Sequence, residues 1–293
     1  MPYILLALAA CFWGGNYVVG HLLVVNSDPM VLSEGRWAIT ALLLCTLYHR
    51  QVIANYSKIK QSIKMTLFLA VFGQVLFPLT LYIGLQYTTS LNAAIYMSAT
   101  PAMVLLINKL VFNDQISKNN IIGVLLSSLG VLYLIFKGDL SNFDALKNLN
   151  KGDLWAMGSA ISWAFYCSFL RKKDKSIPHN VFVTISSLLG TLILLPIALV
   201  YFMFFPITSF SAYTQLDFII GLLYLVIFPS WLAYLFWNRG IAQIGATRGE
   251  VYTHLIPLSG GIFSIVFLNT QIHLFHLISA TLIILGIFLC SKK

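Results

Sequence analysis

The sequence predicts an all-α integral membrane protein, ten transmembrane helices arranged as two inverted five-helix repeats. Three observations lead there. The first is composition: the 293 residues are 59% hydrophobic and 9% charged, with a mean hydropathy of +0.85, against the roughly 25% charge of a soluble domain. The apolar residues lie in long unbroken runs that only helices carry across lipid, not in the alternating pattern of a transmembrane barrel. The second is charge placement: the net +9 falls in short clusters between apolar runs, which is how membrane topology is written. That pattern argues against nucleic acid as a partner and for the lipid bilayer. The third is internal similarity: Gly84, Ser90, Tyr96 and Pro101 each have a counterpart 156 positions later, in Gly240, Ala246, Tyr252 and Pro257.

A span needs about 20 apolar residues, and ten runs qualify. In order they are Tyr3 to Val25, Pro29 to Tyr48, Met65 to Gln86, Leu91 to Phe112, Asn119 to Phe136, Asp153 to Leu170, Asn180 to Phe205, Tyr213 to Trp237, Thr247 to Leu268 and Ile272 to Cys290. Inside the first, Leu8, Ala9, Ala10 and Cys11 spell a lipoprotein-like cleavage site. The run before it is short and lacks a basic leader, and the apolar stretch continues beyond Cys11, so it reads as an uncleaved helix. The four cysteines all lie within apolar runs and read as packing residues. Loops are short except Gln51 to Lys64, Lys137 to Gly152 and Pro206 to Ala212, leaving no room for a soluble domain.

Placing the N-terminus inside puts fourteen Lys and Arg on the inner side, among them Arg50, Lys58, Arg171, Lys172, Arg239 and Arg248. Only Lys137, Lys147 and Lys151 fall outside. This positive-inside bias makes both termini cytoplasmic. Five spans precede the external linker and five follow it, and an odd number per unit turns the second unit upside down. The expected units are a first repeat over 1–137, an external linker over 138–152 and a second, inverted repeat over 153–293. Trp13 pairs with Trp163 at a separation of 150. Inverted repeats mark secondary transporters, whose substrate site lies near the midplane between the repeats. Pro101 and Pro257 each sit about ten residues into their helices, so both kinks fall near mid-bilayer and are the expected hinges.

With these features in hand, the chain resembles the EamA-type branch of the drug/metabolite transporter superfamily over nearly its whole length. The resemblance is carried by Phe12, Trp13, Gly14, Gly15, Asn16 and Tyr17 in the first helix, by Pro29 followed by Arg36 in the second, and by the proline-centred helices four and nine. It implies ten helices with both ends inside and transport of small metabolites, often amino acids, frequently outward. Where such proteins usually carry a glutamate after helices four and nine, this chain has Asp114 and Thr270, so the second unit lacks the acidic mark.

Ionisable residues in a membrane helix are functional candidates by default. Glu250 and His254, four apart, are expected to share a helix face as a coupling pair, while their counterparts Ala94 and Ser98 are uncharged. Two readings stand: a proton-binding pair in the cavity, or a Glu250 paired with Arg248 or Arg239 and a His254 bonded in the interior. Glu34 and Arg36, two positions apart, point about 200° from one another and need separate partners. Arg36 reads as a structural anchor or as a carboxylate receptor, since guanidinium suits planar anions. Asn16, Tyr17, Tyr82, Asn92, Tyr96, Trp163, Tyr166, Trp231, Trp237 and Tyr252 complete the candidate translocation surface. Gly123 with Ser127, and Gly158 with Ser162, read as close-packing pairs. His273 and His276 lack a neighbouring acid or cysteine, so no metal is expected, and no phosphate loop or catalytic spacing is present.

The function expected from this is a secondary transporter, an exporter of amino acids or related small polar metabolites across a bacterial inner membrane by alternating access. It would use no cofactor and be coupled to protons through Glu250 and His254. The alternatives are an uncoupled facilitator or exchanger of another metabolite class, and an intramembrane enzyme. The sequence does not set the oligomeric state and is compatible with a monomer.

Overall fold

The computed structural model describes residues 1–139, 150–207, 210–268 and 273–291, with the side chains at 90–92 and 263–268 excepted. The chain is all-helical over these residues: α1 (Pro2–Val24), α2 (Pro29–Ala54), α3 (Tyr56–Leu85), α4 (Ser90–Ser98), α5 (Thr100–Phe112) and α6 (Lys118–Ile135) form the first half. The second holds α7 (Lys151–Phe169), α8 (His179–Phe204), α9 (Leu216–Ile244), α10 (Ala246–Gly249), a 3₁₀ segment Glu250–His254, α11 (Leu255–Leu268) and α12 (Leu274–Ser291). The two halves repeat one order of elements: two unbroken helices, a long helix, a broken helix and a final helix.

Eight helices among the described residues are long and apolar enough to cross a bilayer, so this is a multi-pass membrane protein. The expected spans at 153–170 and 247–268 are present as helices but are not among the eight. The first is diluted by Asp153, Gly158 and several serines, and the second is cut into three pieces. The expected loop from Gln51 to Lys64 is instead helical except at Asn55, because α3 begins at Tyr56 as an amphipathic extension carrying Lys58, Lys60 and Lys64.

Helix boundaries follow local chemistry. Asp28 caps α2 by accepting from Met30 N at 2.7 Å, with Pro29 supplying a first-turn residue that needs no N–H partner. Ser117 with Asn120, and Asn150 with Asp153, form reciprocal caps on α6 and α7. Gly245, at φ +80°, makes the turn between α9 and α10 in a left-handed region that other residues avoid.

Close backbone approach fixes the bundle. A Cβ on Gly84 would lie 2.9 Å from Gly152 O, and one on Gly240 would lie 2.6 Å from Leu6 Cγ and 3.3 Å from Pro2 O. Gly84 and Gly240 are repeat counterparts, and each sits against the start of an unbroken helix in the opposite half. A Cβ on Gly123 would lie 2.6 Å from Gly286 O, which explains the tight seam between α6 and α12. Gly158 departs from expectation: nothing lies within 4 Å of its Cβ position, so it is not a packing contact, although Ser162 does bond Phe72 O at 2.7 Å.

Interhelical contacts sort the loops onto two ends. At one end Lys58 reaches Ser176 O, Asn180 bonds Gln51 and Arg171 pairs with Asp114. At the other, Tyr201 bonds Asp28, Thr88 bonds Asp153, and the Lys151 ammonium lies 3.7 Å from the Tyr87 ring centroid. The first is the basic end of the charge count. Between them lies a core of large rings, fully buried, in which Trp13, Trp37, Trp163, Trp237 and Tyr234 meet at centroid distances of 4.8 to 5.8 Å.

Candidate functional site

Arg36 is fully buried and draws partners from three other helices. Its Nη1 donates to Asn16 Oδ1 at 3.0 Å and to Tyr82 OH at 2.7 Å, Tyr82 OH donates in turn to Asn16 Oδ1 at 2.9 Å, and Nε donates to Ser230 Oγ. A buried charge without hydrogen bonds costs several kcal/mol, and these bonds compensate three of the five guanidinium N–H groups. Nη2 has no partner, nor do the neighbouring Asn16 Nδ2 and Trp37 Nε1. The cluster is therefore rich in donors that face no protein acceptor. Glu34 does not pair with Arg36; it is half-buried and its Oε2 is also unpartnered.

Two π-helical turns shape the centre. Val71–Leu76 interrupts α3 and Val226–Leu232 interrupts α9, at matching places in the two halves. A π turn widens the helix and re-aims side chains and carbonyls. Pro229 O receives Trp13 Nε1 at 3.0 Å, Gly73 O receives Tyr234 OH, and Ser230, turned inward, reaches Arg36. Ser230 and Tyr234 were not among the sequence candidates, although at four- and three-residue spacing they share a helix face with the named Trp237. Asn238 was also missed: it accepts from Tyr166 OH at 3.0 Å and donates to Tyr234 O at 2.7 Å. The separation of 156 that joins the repeats assigns Asn238 to Tyr82, and that was the signal available for it.

The broken helices meet at their breaks. Pro101 starts α5 just beyond the interruption at Ala99, and Pro257 lies in the first turn of α11, just beyond the 3₁₀ segment. His254 Nε2 bonds Ser98 O at 2.8 Å, and these two residues are repeat counterparts, so the halves touch through equivalent positions. The bond fixes Nε2 as the protonated nitrogen, because a carbonyl only accepts; Nδ1 is buried without a partner. Glu250 Oε1 accepts from Trp163 Nε1 at 3.0 Å, while Oε2 has no partner. The expected shared face of Glu250 and His254 is not found. A 3₁₀ segment turns 120° per residue, so residues four apart diverge, and each bonds a different helix. Nor does Glu250 pair with Arg239 or Arg248.

Other candidates scatter. Trp163, Tyr166 and Trp237 join the ring core. Tyr252 is turned outward to stack on Tyr3 at 6.2 Å and meets Ser291 at 3.4 Å, away from the centre. Tyr96 is half-buried on α4, Trp231 sits in the second π turn with its Nε1 unpartnered, and the side chain of Asn92 lies outside the described residues, as does Thr270.

A cavity of about 850 Å³ runs inward from the Lys137 end. Lys137, His273 and His276 stand at its mouth, and Gly14, Tyr17, Ala94, Ile256 and Pro257 line its inner part. It thus descends between the two broken helices toward α1, where Tyr17 adjoins the Asn16 of the arginine cluster. Nothing lies within 4 Å of a Cβ built on Gly261, which lines the same space. No group of three or more metal-ligating side chains occurs among the described residues.

Comparison with known proteins gives a consistent picture. A model of the EamA-like transporter family matches residues 1–136 and 150–292. An uncharacterized transporter of Bacillus subtilis (strain 168), YyaM, is 24% identical over 294 residues, covering 99% of this chain and 93% of the relative. A second from the same organism, YetK, is 29% identical over 99% of this chain and 87% of its own length. An uncharacterized transporter of Archaeoglobus fulgidus is 27% identical, covering 99% and 97%. A solved structure described as "Crystal structure of protein" superposes with a TM-score of 0.76 at 14% identity, over 99% of this chain and 96% of that one; at this identity it speaks for the fold alone.

Proposed function

Because the chain belongs to the EamA-like transporter family, we propose that it is a secondary transporter exporting amino acids or related small polar metabolites by alternating access. It would act in a bacterial inner membrane with both termini in the cytoplasm. The observation that carries this reading is the buried Arg36 cluster, held by side chains from both halves and retaining unpartnered donors behind a cavity that enters from one end. A carboxylate is the ligand such donors suit. Arg36 Nη2, Asn16 Nδ2 and Trp37 Nε1 receive it; the breaks near Pro101 and Pro257 let α4 and α10–α11 rock as the two inverted units exchange conformations. Glu250, next to the breaks and with one oxygen unpartnered, carries the coupling proton, and His254 tunes it from the contact with Ser98.

A second reading has its own observation. Glu250 Oε1 is occupied by Trp163, as a structural carboxyl would be, and the protein would then be an uncoupled facilitator.

Two measurements test the proposal. Cells with the protein should release one or a few amino acids or close relatives into the medium in excess of cells without it; release of none overturns the substrate class. With that metabolite and purified protein in liposomes under an imposed pH gradient, Glu250→Gln should abolish the response to the gradient yet keep simple exchange. A Glu250→Gln protein that follows the gradient as the parent does would remove proton coupling through this residue.

A further inference from the structure

Beside the arginine cluster lies a second, uncharged one. Gln74, fully buried in the first π turn, donates from Nε2 to Ser186 Oγ at 3.3 Å; Ser186 Oγ donates to Val183 O at 3.2 Å. With the Ser186 hydroxyl donating to Val183, its oxygen accepts here, and the Gln74 amide is assigned with nitrogen toward Ser186. Gln74 Oε1 is then an acceptor with no partner. Gly190 makes room for this side chain, since a Cβ there would stand 2.7 Å from Gln74 Cβ; the adjacent Gly73 does the same for the Tyr166 ring, 2.5 Å from its Cβ position.

The repeat separations identify the cluster. Gln74 is the counterpart of Ser230 at 156, Tyr82 of Asn238 at 156, Asn16 of Tyr166 at 150 and Arg36 of Ser186 at 150. Two bonded pairs of one cluster recur in the other with donor and acceptor exchanged: Tyr82 to Asn16 matches Tyr166 to Asn238, and Arg36 to Ser230 matches Gln74 to Ser186, while the bonds from Arg36 to Asn16 and Tyr82 have no equivalent. The two sit on either side of Tyr234, whose ring is 5.3 Å from Trp37 and 5.8 Å from Tyr166 and whose hydroxyl bonds Gly73 O. One cluster offers orphan donors around a cation; the other offers an orphan acceptor.

We infer that Gln74, with Ser186 behind it, forms a second subsite that takes the donor end, ammonium or amine, of a substrate whose carboxylate lies at Arg36. This rests on the transport reading above and adds to it a residue that sets specificity. A site built to accept a hydrogen bond rejects the analogue that lacks the donor, since its own buried acceptor is then left unpaired. Substrates with both groups are selected over simple carboxylates, and the π turn that presents Gln74 serves binding as well as packing.

The experiment is a thermal-shift titration of the purified full-length protein with each of the twenty proteinogenic amino acids. The most stabilising one is then compared with its des-amino carboxylate and its decarboxylated amine; binding needs no membrane, so permeation of the analogues is immaterial. The parent should bind the intact amino acid roughly tenfold or more tighter than the des-amino analogue. Gln74→Met, which keeps length and removes the acceptor, should bring that ratio to about 2 while the carboxylate is still bound, and Ser186→Ala should lower it partway. A Gln74→Met protein that keeps the parent ratio overturns the subsite, as does a parent that binds no amino acid at all. If Gln74→Met is too unstable to titrate, Ser186→Ala decides alone: an unchanged ratio overturns it. Continued export of another metabolite by cells, with no amino acid bound, would sink this inference while leaving transport intact.

Discussion

The two polar clusters at the centre have one geometry and two chemistries. Asn16, Tyr82, Arg36 and Ser230 form a charged version, and Tyr166, Asn238, Ser186 and Gln74 a neutral one that repeats two of its bonded pairs but not the bonds from the cation to Asn16 and Tyr82. The same contrast recurs at the broken helices, where the uncharged Ala94 and Ser98 are the repeat counterparts of Glu250 and His254 and Ser98 bonds His254. A symmetric frame is needed if two halves are to exchange shapes, but a symmetric set of charges would place two like charges in one dry centre. The chain resolves this by putting its cation in one half and its acid in the other. The ring core of Trp13, Trp163 and Tyr234 lies between them, so Arg36 and Glu250 stay unpaired.

The largest expected effect breaks that comparison at its charged member. Arg36→Met removes the buried cation and leaves Asn16, Tyr82 and Ser230 without their partner. A hydrogen bond to a charged group contributes about 1.5–3 kcal/mol, and the variant loses those proposed to hold the substrate's carboxylate, so transport of the substrate should fall at least about 100-fold. Ser186→Ala, the equivalent change in the neutral cluster, should slow it by less than about fivefold, the loss of one neutral hydrogen bond. Similar losses from both, at equal membrane abundance, would mean that the clusters are packing motifs of equal standing and that the cation has no special role.

How much of this was legible in the sequence depends on whether a residue obeys the helical period. Asn16 and Tyr82 were named from polarity at matched depth and Arg36 as a charge inside a membrane helix, and the three do meet. Trp13 and Trp163 were paired by repeat alone and lie 4.8 Å apart. Ser230 and Gln74 escaped because π turns re-aim them, and Pro229 inside Val226–Leu232 was the one mark of an interrupted helix there; Tyr234 lies in regular helix just beyond it. Tyr252 was misplaced for the matching reason: the 3₁₀ twist of Glu250–His254 carries it out to Tyr3 and separates Glu250 from His254. Regular helix is written in periodicity, while departures from it are set by tertiary contact and carry much of the site.

The proline pair sharpens the comparison at intermediate magnitude. Replacing either proline by Ala returns an N–H to the backbone and permits a more continuous helix. In the first half the break is a single residue between α4 and α5; in the second it is a five-residue 3₁₀ segment bearing Glu250 and His254. Pro257→Ala should therefore slow transport more, about three- to tenfold against less than about threefold for Pro101→Ala, with membrane abundance unchanged. Equal slowing would show that the breaks act as hinges irrespective of what they carry, and no slowing that they are only tolerated.

The smallest effect concerns Asp114, the acid after the first broken helix, whose repeat counterpart Thr270 has no charge to offer. Arg171, at the end of α7, grips Asp114 through two bonds of 2.8 and 2.6 Å, so the loop after α5 is tied to the opposite half at the basic end. The pair is about a third exposed, and such pairs contribute about 1 kcal/mol or less even when bidentate. The Arg171 hydrogen bonds hold the Asp114 carboxyl below its ordinary value of 3.8, against a smaller opposing push from partial burial. A carboxyl with a lowered value in the folded state contributes stability above its unfolded value, and that contribution disappears as pH falls through the folded value. Asp114→Asn should therefore lower the melting temperature by about 1–3 °C at pH 7, and the gap between variant and parent should stay constant down to about pH 4 and close below it. Raising the salt concentration should shrink the gap at pH 7, as expected of a partly exposed pair. A gap that persists unchanged at pH 3, or none at pH 7, would mean that Arg171 holds the loop by its stacking on Phe112, 4.5 Å from the ring centroid. The acid would then contribute as little at this end as its uncharged counterpart.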